Sequence, residues 1–245
     1  MNKLKFGELL LAFSTVSALG LSSSLSVEAE ATANATLKDT ASNYFLAQGE
    51  ELSAGEQANA DFQDKLSETE LLNALQQGGY VIYFRHAQTE KDYADQVSAD
   101  VNDCSTQRAL SEEGWQQAQA IGAGFEAHSI PVGQVISSEY CRAWQTASIA
   151  FGRYEKNPAL NFLPFEDYTE EQVAQMRDNV MPLLTAVPES GTNTVIVGHD
   201  DIFESATGIY PDPQGIAYVL QPDGNGSFEL VANMLPEEWS QLASN

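Results

Sequence analysis

Positive charge is scarce in this sequence. Eleven lysines and arginines stand against 35 aspartates and glutamates, a formal net charge of −24 at pH 7. A surface of that sign repels polyanions, which excludes nucleic acid and anionic membranes as partners. Histidine and cysteine are scarcer still, at three and two residues, and none of them falls at metal-ligand spacing, so no metal centre is legible. Long apolar runs are also missing. The most apolar stretch, Leu9–Leu21, has 13 residues, well short of the roughly 20 that a membrane-spanning helix needs. No internal repeat is visible. With 43% hydrophobic and 19% charged residues, the composition is that of a folded globular protein.

Lys3 and Lys5 precede that apolar stretch, and small residues follow up to Ala29–Ala31. This order of segments predicts that residues 1–31 are a signal peptide, leaving no integral membrane segment after its removal and placing the protein in the periplasm or outside the cell. Residues 32–65 are polar and alanine-rich, with few large apolar side chains, and read as a linker or loosely ordered arm. The folded domain is expected over 66–245.

Within it, helical and strand patterns alternate. Ser67 and Glu70 form a capping-box pattern ahead of "LLNAL", and Gly78-Gly79 stops that helix. The strand "YVIYF" follows. "LSEEGWQQAQAIGAGFEAHS" is helical despite its internal glycines, "VGQVISS" is a strand, and "EYCRAWQTASIAFG" is a helix ended by Gly152. A helix opened by Thr169 and Gln172, the apolar strand "NTVIVGH" and a hairpin turning at 223–226 complete the chain. The pattern predicts a single α/β domain, a three-layer helix–sheet–helix sandwich around a mostly parallel sheet.

Three strand ends share one feature. In "VIYFRHAQT", "VISSEYCRAWQTA" and "VIVGHD", a basic side chain appears where the strand stops. Open α/β sheets bind ligands beyond the carboxyl ends of their strands. Arg85, His86, Arg142 and His199 would therefore converge on one crevice, an anion trap in an acidic protein. Two guanidiniums suit phosphate, whose oxygens they bind through paired, charge-assisted hydrogen bonds. An imidazole beside them is held neutral by their charge, and a neutral imidazole is a competent nucleophile toward phosphorus. Taken singly, Arg85 reads as well as the partner of an acidic neighbour, and His86 as a buried structural histidine; taken together, the three motifs favour catalysis.

Arg85-His86-Ala87-x-Thr89, Ser137-Ser138-x-x-Cys141-Arg142-Ala143-x-Gln145-Thr146-Ala147 and Gly198-His199, in that order, resemble the histidine phosphatase superfamily. Ala87 stands where many members have glycine. The resemblance implies that His86 forms a phosphohistidine intermediate and that Arg85, Arg142 and His199 complete the phosphate pocket, with no cofactor. The expected activity is that of an exported phosphoric monoester hydrolase acting on a small or surface-attached phosphate ester. A phosphohistidine phosphatase or mutase of the same family, and a non-catalytic phosphate-binding module, remain as alternatives.

Several roles are less determined. The leaving oxygen needs a proton donor, and Glu166 is expected to supply it, with Asp200 as the alternative. Gln88 and Thr89 either bind phosphate or shape the loop. Arg108 reads as a surface cation, and His128 as a solvated residue at a helix C-terminus. Segments 91–103 and 157–168 should line the outer pocket without a readable code. Cys104 and Cys141, the only cysteines of a chain expected to be exported, are predicted to form a disulfide.

Overall fold

The computed structural model describes residues 51–92, 94–163 and 167–242. The signal peptide, most of the expected arm and Glu166 lie outside the described residues. Among the described residues, six helices run in chain order: α1 Ala54–Ala60, α2 Glu68–Gln77, α3 Glu112–Ala127, α4 Cys141–Phe151, α5 Glu170–Leu184 and α6 Asp200–Thr207. Six strands form one sheet: β1 Val81–Arg85, β2 Val132–Ser137, β3 Glu155–Lys156, β4 Asn193–Gly198, β5 Ala217–Pro222 and β6 Phe228–Met234. Their order across the sheet is β3-β2-β4-β1-β5-β6. The first four run parallel, and β5 and β6 close one edge antiparallel.

The unbroken apolar run in β1 is explained by its central position, with a helical layer on each face. Ile82 and Phe84 pack with Leu71, Leu72 and Leu75 of α2, Ile121 and Phe125 of α3, Ala143 and Ala147 of α4, and Trp239. Val81 and Tyr83, on the opposite face, pack with Met176, Val180 and Leu184 of α5 and with Ile202 and Phe203 of α6. This is the three-layer α/β sandwich that the sequence predicts. Both predicted capping boxes form, Ser67 with Glu70 and Thr169 with Gln172.

Three features depart from the sequence reading. The organised chain begins at 51 and not at 66: Ser53 and Glu56 make a capping box for α1, which lies against the domain. Its contacts are small or polar: Tyr210 N–H donates to Gly55 O, Asn59 Nδ2 to Asp212 O, and Tyr218 Oη to Asn59 Oδ1. Few large apolar residues help the segment dock, Phe62 against Tyr218 among them, and they leave no periodic hydrophobic signal. Second, α6 follows β4 directly, in residues to which the sequence reading assigns no element. Third, β3 is only two residues long, too short for any pattern to mark.

The sheet positions the site. Arg85 pairs in register with Gly198, and Ser137 with Val197, so the carboxyl ends of β1, β4 and β2 finish side by side. The Cys104–Cys141 disulfide is formed, with Cα atoms 5.7 Å apart. It ties the long connection after β1 to the first residue of α4.

The glycines inside α3 mark close approaches. A methyl group at Gly122 would meet Ala150 O of α4 at 2.2 Å, and one at Gly114 would meet Gln88 O at 2.0 Å. Gly114 thus lets the first turn of α3 press on the loop that leaves His86. In an open helix, Gly→Ala stabilises by roughly 0.5–1 kcal/mol. Here the sign should reverse: Gly114→Ala is expected to destabilise by about 1–3 kcal/mol, the range for overpacking, read as a lower denaturant midpoint at unchanged m-value. A stabilised variant would show that the contact is loose.

Candidate active site

Arg85, His86, Arg142 and His199 meet beyond the strand ends, and all four are almost wholly buried, at 5%, 1%, 2% and 1% exposure. His86 is fixed by its backbone. Its N–H donates to Gly198 O at the end of β4, and its own carbonyl accepts from Gly215 N–H, both at 3.0 Å. The next amide, Ala87 N–H, donates to Thr146 Oγ1, whose hydroxyl donates to Arg142 O. The loop after β1 and the helix bearing Arg142 are thereby one unit.

The ring of His86 has its two nitrogens differentiated. Nδ1 lies 2.8 Å from Ala87 O, a pure acceptor, so Nδ1 holds the proton. Nε2 is then the lone-pair nitrogen, and it accepts from Arg142 Nε at 3.0 Å. Burial pushes the His86 basicity well below the ordinary imidazole value, and the positive charges of Arg142 and Arg85, with His199, push it the same way. The result is an unprotonated nitrogen at the mouth of a cationic site.

His199 follows β4 and starts α6. Tyr83, buried in β1, holds its backbone from both sides: Tyr83 Oη donates to His199 O at 2.7 Å and accepts from His199 N–H at 3.0 Å. The His199 Nε2 meets Ser138 Oγ at 2.9 Å. Ser138 in turn donates to Asn161 Oδ1, and Tyr140 N–H donates to Ser138 Oγ. The His199 ring lies edge-on to His86, with centroids 5.4 Å apart, and is flanked by Tyr140 and Phe162. Burial lowers its basicity too, followed by the charges of Arg142, Arg108 and Arg85.

Both pocket arginines are paired with carboxylates. Arg85 contacts Asp200 and binds Asp212 Oδ1 at 2.9 Å, donates to Pro211 O, and lies against the Tyr210 ring. Arg142 Nη1 binds Asp95 Oδ1 at 3.0 Å, and its guanidinium stacks over Tyr140 and Phe162. Buried charge needs such partners to be tolerable. The acidic neighbour considered for Arg85 therefore exists, and it coexists with the clustering of the four basic groups.

Asp200, the alternative proton donor, accepts from Tyr210 Oη at 2.9 Å as well as contacting Arg85. Thr89 directs its N–H to Gln214 Oε1 at 2.9 Å and bridges to Leu110, and Gln88 Nε2 donates to Glu113; both shape the loop. His128 caps α3 and is half-buried, so it is less solvated than expected. The sequence reading also overlooked Asp95, Asp212, Tyr83, Tyr210 and Phe162, none of which sits in a recognisable local motif. Arg108, expected at the surface, is half-buried and close enough for its charge to act on Arg142 and His199.

Comparison with known proteins gives one family match: the model of the histidine phosphatase superfamily (branch 1) matches residues 81–177. No protein of curated function matches the chain. Among solved structures, the protein histidine phosphatase SixA complexed with tungstate is 16% identical, with a TM-score of 0.47 over 64% of this chain and 97% of that one. YhfR of Bacillus stearothermophilus is 18% identical, with a TM-score of 0.43 over 62% and 95%. TTHB049 of Thermus thermophilus is 16% identical, with a TM-score of 0.45 over 64% and 99%. The family match spans Arg85, His86 and Arg142; His199 lies beyond it and joins the site through the fold.

The lowered basicity of His86 has a measurable consequence. A histidine whose folded value lies below its unfolded value stays neutral as pH falls through 6.5, and its contribution to stability is fully present above 6.5 and lost only as pH drops toward the folded value. Nitrogen-15 spectra of the His86 ring should show one neutral, Nδ1-protonated tautomer from pH 8 down through 6.5. A titration midpoint near 6.5 would contradict the buried, cation-flanked geometry.

Proposed function

From the match of residues 81–177 to the model of the histidine phosphatase superfamily (branch 1), we propose that this chain is a phosphomonoesterase of that superfamily working through a phosphohistidine on His86. The observation that carries this reading is the His86 ring, with its proton held at Nδ1 by Ala87 O and its Nε2 lone pair beside Arg142 Nε.

In the first step His86 Nε2 forms a bond to phosphorus as the bond from phosphorus to the ester oxygen breaks. Arg142, Arg85 and His199 hold the phosphoryl oxygens and offset their charge. The departing oxygen takes a proton from a carboxyl group. In the second step water attacks phosphorus, the bond to Nε2 breaks, and the water proton returns to the carboxylate. Neutral His86 is regenerated and inorganic phosphate leaves.

Asp200 is poorly placed to donate that proton, because its carboxylate is already engaged by Arg85 and by the Tyr210 hydroxyl and is not free to face a leaving oxygen. Glu166 is the better candidate on that ground. We place the enzyme outside the cytoplasm: the signal-like N-terminal segment is consistent with the disulfide, a bond that persists in oxidising compartments.

Two measurements test the reading. Purified protein quenched during turnover of an aryl phosphate should carry acid-labile phosphate on His86, and His86→Ala should lose turnover by at least about three orders of magnitude, the scale for losing an activated nucleophile. Retained turnover in that variant would sink the mechanism. Glu166→Gln should slow alkyl phosphates strongly and an activated aryl phosphate little, since a good leaving group departs without a proton. The same pattern in Asp200→Asn instead would transfer the role to Asp200.

A further inference from the structure

Arg108 differs from the two arginines of the pocket: its guanidinium has no carboxylate within ion-pairing distance among the described residues, whereas Arg85 has two and Arg142 has one. Its Nε is buried and unpartnered. A cation left unmatched in so acidic a protein, with part of its donor set shielded from water, is costly unless something else completes it.

The chain holds Arg108 in place with some care. Its N–H donates to Asp95 Oδ1 at 2.6 Å, the same oxygen that Arg142 Nη1 binds at 3.0 Å. The preceding residue, Gln107, is buried and accepts from Cys141 N–H at 2.7 Å. Cys104, three residues earlier, is bonded to Cys141, and Glu90 N–H donates to Ala109 O on the other side. One hydrogen bond and a disulfide thus fasten this segment to the helix that begins with Cys141 and Arg142, and Asp95 links Arg108 N–H to the Arg142 side chain.

Direction follows from the distribution of charge. The charge of Arg108 lowers the basicity of Arg142 and His199. Around Arg85 stand Asp200, Asp201 and Asp212, with Glu204 close to Asp201. Beside Arg108 the Asp95 carboxylate is already engaged by Arg142 Nη1 and by Arg108 N–H, so an anionic group is repelled less there than around Arg85.

We propose that Arg108 is a specificity residue that binds a second anionic group of the substrate, beside the phosphoryl group held by Arg142. The preferred substrates are phosphate monoesters bearing a nearby carboxylate or a further phosphate. This rests on the phosphatase reading for its chemistry, although the binding of a bis-anion does not depend on turnover.

The test compares 3-carboxyphenyl phosphate with its neutral carboxamide, a pair with similar leaving groups. A charged hydrogen bond of about 1.5–3 kcal/mol corresponds to about ten- to a hundredfold. The wild-type protein should favour the carboxylate by at least about tenfold in kcat/KM. Arg108→Ala should bring that ratio close to one, and Arg108→Lys should keep part of it. A wild-type ratio near one, or a preference that survives in Arg108→Ala, overturns the inference and leaves the phosphatase reading intact. If the wild-type protein turns over neither ester, the phosphatase reading fails, and calorimetry with inorganic phosphate and pyrophosphate decides the inference. Tighter pyrophosphate binding that disappears in Arg108→Gln supports it; equal binding of the two anions, or a preference unchanged in Arg108→Gln, overturns it.

Discussion

The hydrogen bond from Arg142 Nε to His86 Nε2 requires that the imidazole be unprotonated at that nitrogen, and much of the surrounding structure serves this condition. Ala87 O accepts from Nδ1–H, burial disfavours a second proton, and Gly198 and Gly215 hold the His86 backbone in place. Thr146 then locks the loop to the helix, fixing the distance between the two side chains. On the proposed function, nucleophile and anion-binding cation are therefore one preorganised pair, contributed by the loop after β1 and the first turn of α4.

Crowding of like charge is the cost of such a pocket. Arg85 and Arg142 are each paired with aspartates, which under the proposed function compete with an incoming phosphate for the same donors. A ligand gains only what exceeds the interactions it replaces. Asp95 makes this competition local to Arg142, because it is bound by the side chain of Arg142 and by the backbone of Arg108 through one oxygen. Ground-state binding is thereby moderated while the field around His86 stays positive.

The sequence revealed the layers and the strand-end residues because both depend on short-range pattern. Apolar runs mark strands buried on two sides, capping boxes mark helix starts, and Arg85-His86, Cys141-Arg142 and Gly198-His199 are contiguous pairs at strand or helix ends. What stayed hidden depends on contact between distant segments. Asp95 and Arg108 gain their meaning only when a connection of little apolar character folds back over Arg142. Tyr83 resembles any strand aromatic until its hydroxyl reaches His199, 116 residues away. The helix Asp200–Thr207 is two turns long and opens with two aspartates, so its apolar pair, Ile202 and Phe203, is too brief to show a period. Glu166 lies outside the described residues, and its role remains a matter of chemistry and position in the chain.

The connection after β1 has a construction with consequences for how this protein can diverge. Its base is clasped where Thr89 bridges to Leu110, and its far part is stapled by Cys104 to Cys141. Between these fastenings, most described residues from Glu90 to Asp103 face solvent and add little to the core. Apart from Asp95, which must stay against Arg142, such a span behaves as a cassette: its length and composition can drift through mutation, insertion or deletion while the staple keeps the returning chain beside the pocket. A lineage could acquire a new outer rim, and with it a new clientele of substrates, without renegotiating the geometry around the histidine.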